Sequence, residues 1–185
     1  MARNTLSRSM HDVGLAAWFG GTLANAVALN RAAAQADGAN RTGAVANVGW
    51  DRWTPVNAAA IGSHLVGSVG QFSGNLDRMK AQRGVATMAI AKTAVTALAL
   101  GATAYSRILG RKVSKQTDVP AESGTEPAAD TPEDVAAAQR QLAILQWAVP
   151  ALTGALVVIS AFAGEQQRAS EAQKGLLRRL FGFLD

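Results

Sequence analysis

Two histidines are the side chains of this 185-residue sequence best suited to bind a cofactor or relay a proton. His64 stands in an uncharged stretch, where an imidazole could bind haem, quinone or a metal ion, or pass on a proton. Such a histidine can also simply bridge two helices, and we favour that interpretation. Two histidines and no cysteine are too few for a histidine-rich or thiolate metal site. We therefore predict no catalytic residue, no metal site and no resident cofactor.

Four long segments, nearly free of charge, must position these residues. The clearest is 141–164, whose 24 uncharged residues can cross a ~30 Å hydrocarbon layer at ~1.5 Å per residue. The others are 13–32, 54–76 and 84–106. We predict an all-α polytopic membrane protein, a single domain over 1–185, with four antiparallel transmembrane helices. A soluble alanine-rich bundle is the alternative, and a signal peptide could account for the first segment.

Small residues recur along one face of the second segment. Their steps of four, four, three and four residues follow the helical period, and small side chains let membrane helices approach closely. We predict that this stripe is a helix-packing surface. Its members are Ala59, Ser63, Gly67, Gly70 and Gly74.

Four antiparallel crossings also predict the depth of each polar residue. Counted from the segment ends, Asn25, His64, Thr96 and Thr153 all fall near the bilayer middle, where an unpartnered polar group is costly. We predict that they face inward as one hydrogen-bonded layer. The same count places His11 half a helix length from His64, which disfavours a haem bound by both. Lys92 lies two turns inside its segment and is expected to extend to the head groups, with a buried functional cation as the alternative.

The polar connections carry further predictions. We interpret residues 31–52 as a loop, partly helical at its start, with Pro55 in the first turn of the next helix. Residues 108–131 read as a flexible polar loop, and Thr131 to Asp134 as the capped, acidic start of the fourth helix. Residues 172–184 are basic and amphipathic, typical of a helix at the membrane surface.

Aromatic residues support the antiparallel order. Trp50, Trp53, Tyr105 and Trp147 all fall at one end of the predicted bundle, here called side B, as expected for an interfacial belt. Both termini fall at the other end, side A. Short basic connections at side A favour the cytoplasm for both termini, in a bacterial-type cell membrane.

The opening of the chain resembles a known group. His11, Gly14, Trp18, Gly20 and Gly21, in the stretch HDVGLAAWFGG, are similar to the start of small membrane proteins of the copper-resistance D type and their uncharacterised relatives. That resemblance implies a four-helix membrane domain. The chain lacks the cluster of methionine and histidine residues that copper handling would require.

These features favour a structural or accessory role over catalysis. No phosphate-binding glycine pattern follows a strand, and the basic residues are scattered without a nucleic-acid motif. We predict a non-enzymatic subunit that contacts the lipid bilayer and packs against other membrane subunits or itself, without binding nucleic acid. The alternative is a small-molecule, quinone, haem or metal-binding membrane protein that uses the layer around His64.

Overall fold

The computed structural model describes residues 4–81, 83–115 and 120–165, without the side chains of 75, 77–81, 83, 84 and 165. These residues are predominantly helical. Helix α1 spans Thr5–Ala24 and continues through a π-helical turn, Asn25–Leu29, into the short α2, Asn30–Ala33. The longer helices are α3, Ala39–Ala81, α4, Arg83–Ser114, and α5, Glu133–Glu165. The predicted amphipathic helix at 172–184 lies outside the described residues.

Four long helices pack antiparallel to their neighbours. α1 lies between α3 and α5, and α4 packs along α5, whereas α3 and α4 touch each other only lightly. The main core contains one buried residue from each long helix, namely Trp18, Ala60, Ala99 and Val149. A second apolar cluster, around Leu109, joins α4 to α5 near side B.

Residues 31–52 are largely helical, and α3 is much longer than the sequence indicated. The connection to α3 shrinks to a turn that ends at Gly38, whose φ of +95° is a conformation favoured by glycine. Because α3 begins at Ala39, Pro55 stands inside the helix and not in its first turn. Proline has no N–H for Asp51 O, four residues earlier, and the hydroxyl of the neighbouring Thr54 donates to Trp50 O at 2.8 Å.

The segment predicted as a loop, 108–131, contains regular structure. α4 continues to Ser114, and strands β1, Ala121–Ser123, and β2, Glu126–Pro127, form an antiparallel hairpin. The acidic first turn of α5 is confirmed, with Glu133 and Asp134 in place. Thr131 lies two residues before α5 begins, and its hydroxyl donates to Pro120 O at 2.7 Å, which ties the hairpin to the helix start.

Several polar side chains are buried, while large apolar side chains are exposed on the helix surfaces. His11, His64 and Thr153 are at most 1% exposed, while Val69 on α3 and Ile144 on α5 are 69% and 72% exposed. Three helical stretches are long and apolar enough to cross a membrane: Thr5–Ala33, Val85–Ser114 and Glu133–Gly164. α3 is not among them.

Candidate functional site

α1 and α3 cross through a sequence pattern that both helices share. Each carries His-x-x-Gly, His11 to Gly14 in α1 and His64 to Gly67 in α3. The backbone of His64 lies on Gly14, where a Cβ would be 2.5 Å from His64 N, and the backbone of His11 lies on Gly67 in the same way. Only glycine leaves room for this approach, so the reciprocal contact, here called the histidine–glycine crossing, depends on both glycines.

The crossing brings the two histidines together. Their ring centroids are 4.5 Å apart, and the ring of His64 is also 6.1 Å from that of Trp18. His64 Nδ1 lies 3.4 Å from His11 O, and because a carbonyl oxygen can only accept, Nδ1 is the donor. The other ring nitrogen, His64 Nε2, is buried and has no hydrogen-bond partner among the described residues.

The predicted separation of half a helix was wrong, because α1 starts at Thr5 and not near Val13. When the two predicted segments are aligned by their side A ends, Val13 of α1 is level with Leu76 of α3. In the structure, Gly14 of α1 lies beside His64 of α3. That difference is a slide of about eleven residues, or ~16 Å at 1.5 Å per residue.

A chain of charged and polar groups runs through His11. Its Nδ1 lies 2.7 Å from Asp12 Oδ1, and its Nε2 lies 3.1 Å from Lys92 Nζ. Lysine can only donate, so Nε2 accepts and Nδ1 carries the proton that His11 donates to Asp12. Lys92 therefore turns inward to His11, contrary to the expectation that it extends to the head groups. We call His11, Asp12, His64 and Lys92 the polar centre.

A small polar cavity adjoins the polar centre towards side A. Its volume is about 160 Å³, and Ser160 of α5 contributes a buried hydroxyl that has no hydrogen-bond partner in the described structure. Positive and negative side chains meet on its walls. The polar lining residues are Arg8, His11, Asp12, Gln71, Lys92 and Ser160.

Of the four residues of the predicted polar layer, Asn25 lies at a different level of the bundle from His64. Thr153 is fully buried and donates to Val149 O of its own helix at 2.8 Å. Asn25 lies eleven residues beyond Gly14 along α1, about 16 Å from the level of His64. Thr96 is half-buried on α4. In the described parts of the chain, no hydrogen bond joins any two of these four side chains.

The predicted packing stripe on α3 mostly faces α1. Ser63 donates to Met10 O at 2.9 Å, Gly67 and Gly70 lie against His11 and Ser7, and Asn4 reaches Gly74. Asn4 also donates its amide to Gly70 O at 2.6 Å. Ala59 is exposed, and its neighbour Ala60 takes the buried place.

A larger cavity lies between α3, α4 and α5 on the side B half, and we call it the α3–α4 cavity. Its volume is about 320 Å³ and its walls are mainly apolar, including Ile61, Leu100 and Leu142. Three buried polar atoms on lining residues have no partner among the described residues. They are Trp53 Nε1, Asn57 Oδ1 and Arg107 Nε.

A hydrogen-bonded network at side B was not anticipated from the sequence. Asn30 donates to Gln146 Oε1 at 2.7 Å and accepts from Trp50 Nε1 at 3.0 Å. Gln146 in turn donates to Thr125 Oγ1 of the hairpin at 3.1 Å, and Gly124 packs against Asn30. The network fixes the hairpin on the helices.

The fold and these sites define a predominantly helical protein with three helices long and apolar enough to cross a membrane. Comparison with protein-family models, curated proteins and solved structures finds no match to this chain. No three histidine, cysteine or acidic side chains of the described residues come together as a metal site.

Proposed function

We propose that the chain is an integral membrane protein whose four long helices all cross the bilayer, as a non-catalytic accessory or structural subunit. The proposal depends mainly on the large aliphatic side chains exposed along the helices while several polar groups are buried, because lipid solvates exposed aliphatic side chains and polar groups must find partners inside. This pattern applies to α3 as well, where Val66, Val69 and Phe72 are exposed while His64 is buried. α3 runs along α1, so a bilayer that contains α1 contains that part of α3 too.

Topology can be tested directly because the natural chain has no cysteine. Single cysteines at Leu6, Asp37 and Asp130 would be labelled in intact cells or oriented vesicles with a membrane-impermeant maleimide. Four crossings place Asp37 and Asp130 on one side and Leu6 on the other. If α3 does not cross, Asp130 falls on the same side as Leu6, and that labelling pattern would refute the proposal.

The structural role draws support from how the polar interior is used. Ser63, His64 and Asn4 each make hydrogen bonds between α1 and α3, and Lys92 connects α4 to His11. Groups used this way stabilise helix association and leave the outer apolar faces for lipid or a neighbouring subunit. In mild detergent, native electrophoresis should show an assembly larger than the 19.1 kDa chain. A monomer under all mild conditions would contradict the subunit role.

Small-molecule binding at the polar centre is the second candidate. Ionisable residues inside membrane helices usually mark a functional site, and here they line a cavity of about 160 Å³. If the polar centre binds haem or a metal ion, the protein purified from membranes should show visible absorbance or bound metal, and His64→Ala should remove it. Identical spectra and metal content in both proteins would exclude those two ligands.

The side A orientation of both termini, in the cytoplasm of a bacterial-type cell, remains part of this proposal. The same labelling experiment tests it, since the accessible face of intact cells is known. Labelling of Leu6 in intact cells would reverse the orientation while leaving the number of crossings unaffected.

A further inference from the structure

The α3–α4 cavity has polar groups that the protein itself does not satisfy. Trp53 Nε1 and Arg107 Nε are donors, and Asn57 Oδ1 is an acceptor; all three are buried and lack hydrogen-bond partners among the described residues. Buried polar atoms are normally paired, so three unpaired ones on the wall of one cavity point to a molecule that pairs with them.

The charge at the cavity favours a neutral head group. Arg107 is the cation of the wall, and its Nη1 lies 2.9 Å from Asp51 Oδ1, so its positive charge is already balanced. An anionic head group would compete with Asp51 for the same guanidinium. A carbonyl oxygen needs only the donors at Arg107 Nε and Trp53 Nε1, and adds no charge.

The walls of the α3–α4 cavity favour a flat, lipophilic ligand. The indole of Trp53 is held by Gly21 of α1, where an added Cβ would overlap the ring. Ile61, Leu100 and Leu142 supply apolar surface, and the volume of about 320 Å³ is at the lower end of the ~300–1,000 Å³ range of small-molecule sites. A ring and the first part of a chain fit such a space.

The position of the cavity favours a molecule that arrives through lipid. It lies where α3 and α4 touch only lightly, in contrast to the close contacts of α1 with α3 and of α4 with α5. In a bilayer, the cavity walls at Trp50 and Trp53 lie at the side B interface, where the head group of a membrane-dissolved ligand also lies.

We propose that the α3–α4 cavity binds a neutral lipophilic carbonyl compound of the quinone class. Its carbonyl oxygens accept hydrogen bonds from Trp53 Nε1 and Arg107 Nε, and Asn57 Oδ1 accepts from the hydroxyl of the reduced form. This site is separate from the polar centre and from the His64 layer predicted from the sequence. It goes beyond the accessory role, because it gives the subunit a ligand of its own.

Calorimetric titration of the purified full chain in detergent with decyl-benzoquinone tests the proposal, with protein-free micelles subtracted. We expect saturable binding of about one molecule per chain. Trp53→Phe keeps the ring but loses the N–H donor, and should weaken binding about five- to tenfold. Trp147→Phe, on the exposed face of α5, is the matched control and should bind as the natural chain does. Equal affinity in the natural chain and Trp53→Phe would overturn the proposal.

A second pair of variants covers the case in which Trp53→Phe does not fold. Gly21→Ala should displace the indole and weaken binding by at least about fivefold, whereas Gly20→Ala adds a methyl group where nothing lies within 4 Å and should not. Equal binding by these two variants would count against the proposed position of the ligand.

Two other probes identify the chemical class. Decanoate carries an anionic head and decylbenzene has no oxygen, so both should bind at least about tenfold more weakly than the quinone. Decylbenzene binding as tightly as the quinone would show that only apolar filling matters. Tighter binding of decanoate would show an anion site. Either result would overturn the proposal.

Discussion

Gly67→Ala should loosen the histidine–glycine crossing and destabilise the bundle. The added Cβ would lie 2.5 Å from Ser7 O and 2.8 Å from His11 Cα, and nearer still to His11 N. These are backbone atoms, so no side-chain rotation relieves the overlap. α1 and α3 must separate by about 1 Å to reach ordinary van der Waals contact.

The free-energy cost follows from that separation. Overpacking of this kind costs about 1–3 kcal/mol. The hydrogen bonds from Ser63 to Met10 O and from His64 to His11 O, at 2.9 and 3.4 Å, would lengthen beyond useful range. Each interhelical bond contributes about 0.6 kcal/mol. Because alanine has a better helix propensity than glycine, up to about 1 kcal/mol of this loss is offset. The net loss in the free energy of unfolding should be about 1–3 kcal/mol.

The assay is unfolding in mixed micelles with an increasing fraction of sodium dodecyl sulfate, followed by tryptophan fluorescence, since Trp18 is fully buried in the core. Gly62→Ala is the control on the same helix, because nothing lies within 4 Å of a Cβ at that position. Gly62→Ala should be neutral or slightly stabilising. If the two variants unfold at the same detergent fraction, the tight approach of α1 and α3 does not exist as described.

Two further substitutions probe the polar centre and the hairpin. Lys92→Met leaves His11 Nε2 buried without its donor and should lower the free energy of unfolding by about 1–2 kcal/mol. The control, Lys112→Met, removes only an exposed ion pair and should change the free energy of unfolding by less than about 0.5 kcal/mol. Equal losses in the same micelle assay would refute this. Gly124→Ala should push the hairpin away from Asn30 and speed its cleavage by a glutamate-specific protease several-fold. Cleavage at the rate of Gly110→Ala, which meets nothing within 4 Å, would show that the hairpin does not depend on that contact.

The sequence was informative where local chemistry decides the outcome. The acidic start of α5 was correctly predicted from Glu133 and Asp134, because carboxylates favour the helix N-terminus whatever the tertiary context. The apolar stretch that follows also forms one continuous helix. Composition alone therefore identified the three helices that are long and apolar enough to cross a membrane, but it also included 54–76, which is not among them.

Helix register was not accessible in the same way. Thr5 to Asp12 is polar on average, so hydropathy excluded it from the first segment, although these residues form the first two turns of α1. Their polar side chains are tolerated because Ser7 and His11 contact α3. An average over a window cannot detect partners on another helix, and the two histidines were therefore placed far apart.

One sequence signal could have corrected the register. His-x-x-Gly occurs once in α1 and once in α3, and two antiparallel helices with the same small-residue step can interlock reciprocally. The α3–α4 cavity had no comparable signal. Trp53, Asn57 and Arg107 come from two helices, and only the packing of α3, α4 and α5 brings them to one wall.

Disulfide cross-linking across α1 and α3 tests the central arrangement most directly. In the background free of cysteine, Ser7→Cys is combined with Gly70→Cys, whose added Cβ would lie 2.8 Å from the Cβ of residue 7. A shift of about 1 Å brings the two Cβ atoms into the ~3.5–4.5 Å range of a disulfide. The comparison pair is Val13→Cys with Leu76→Cys, which the register drawn from hydropathy would set level. Rapid oxidation of the first pair and not of the second is the predicted result; cross-linking of the second pair alone would contradict the histidine–glycine crossing.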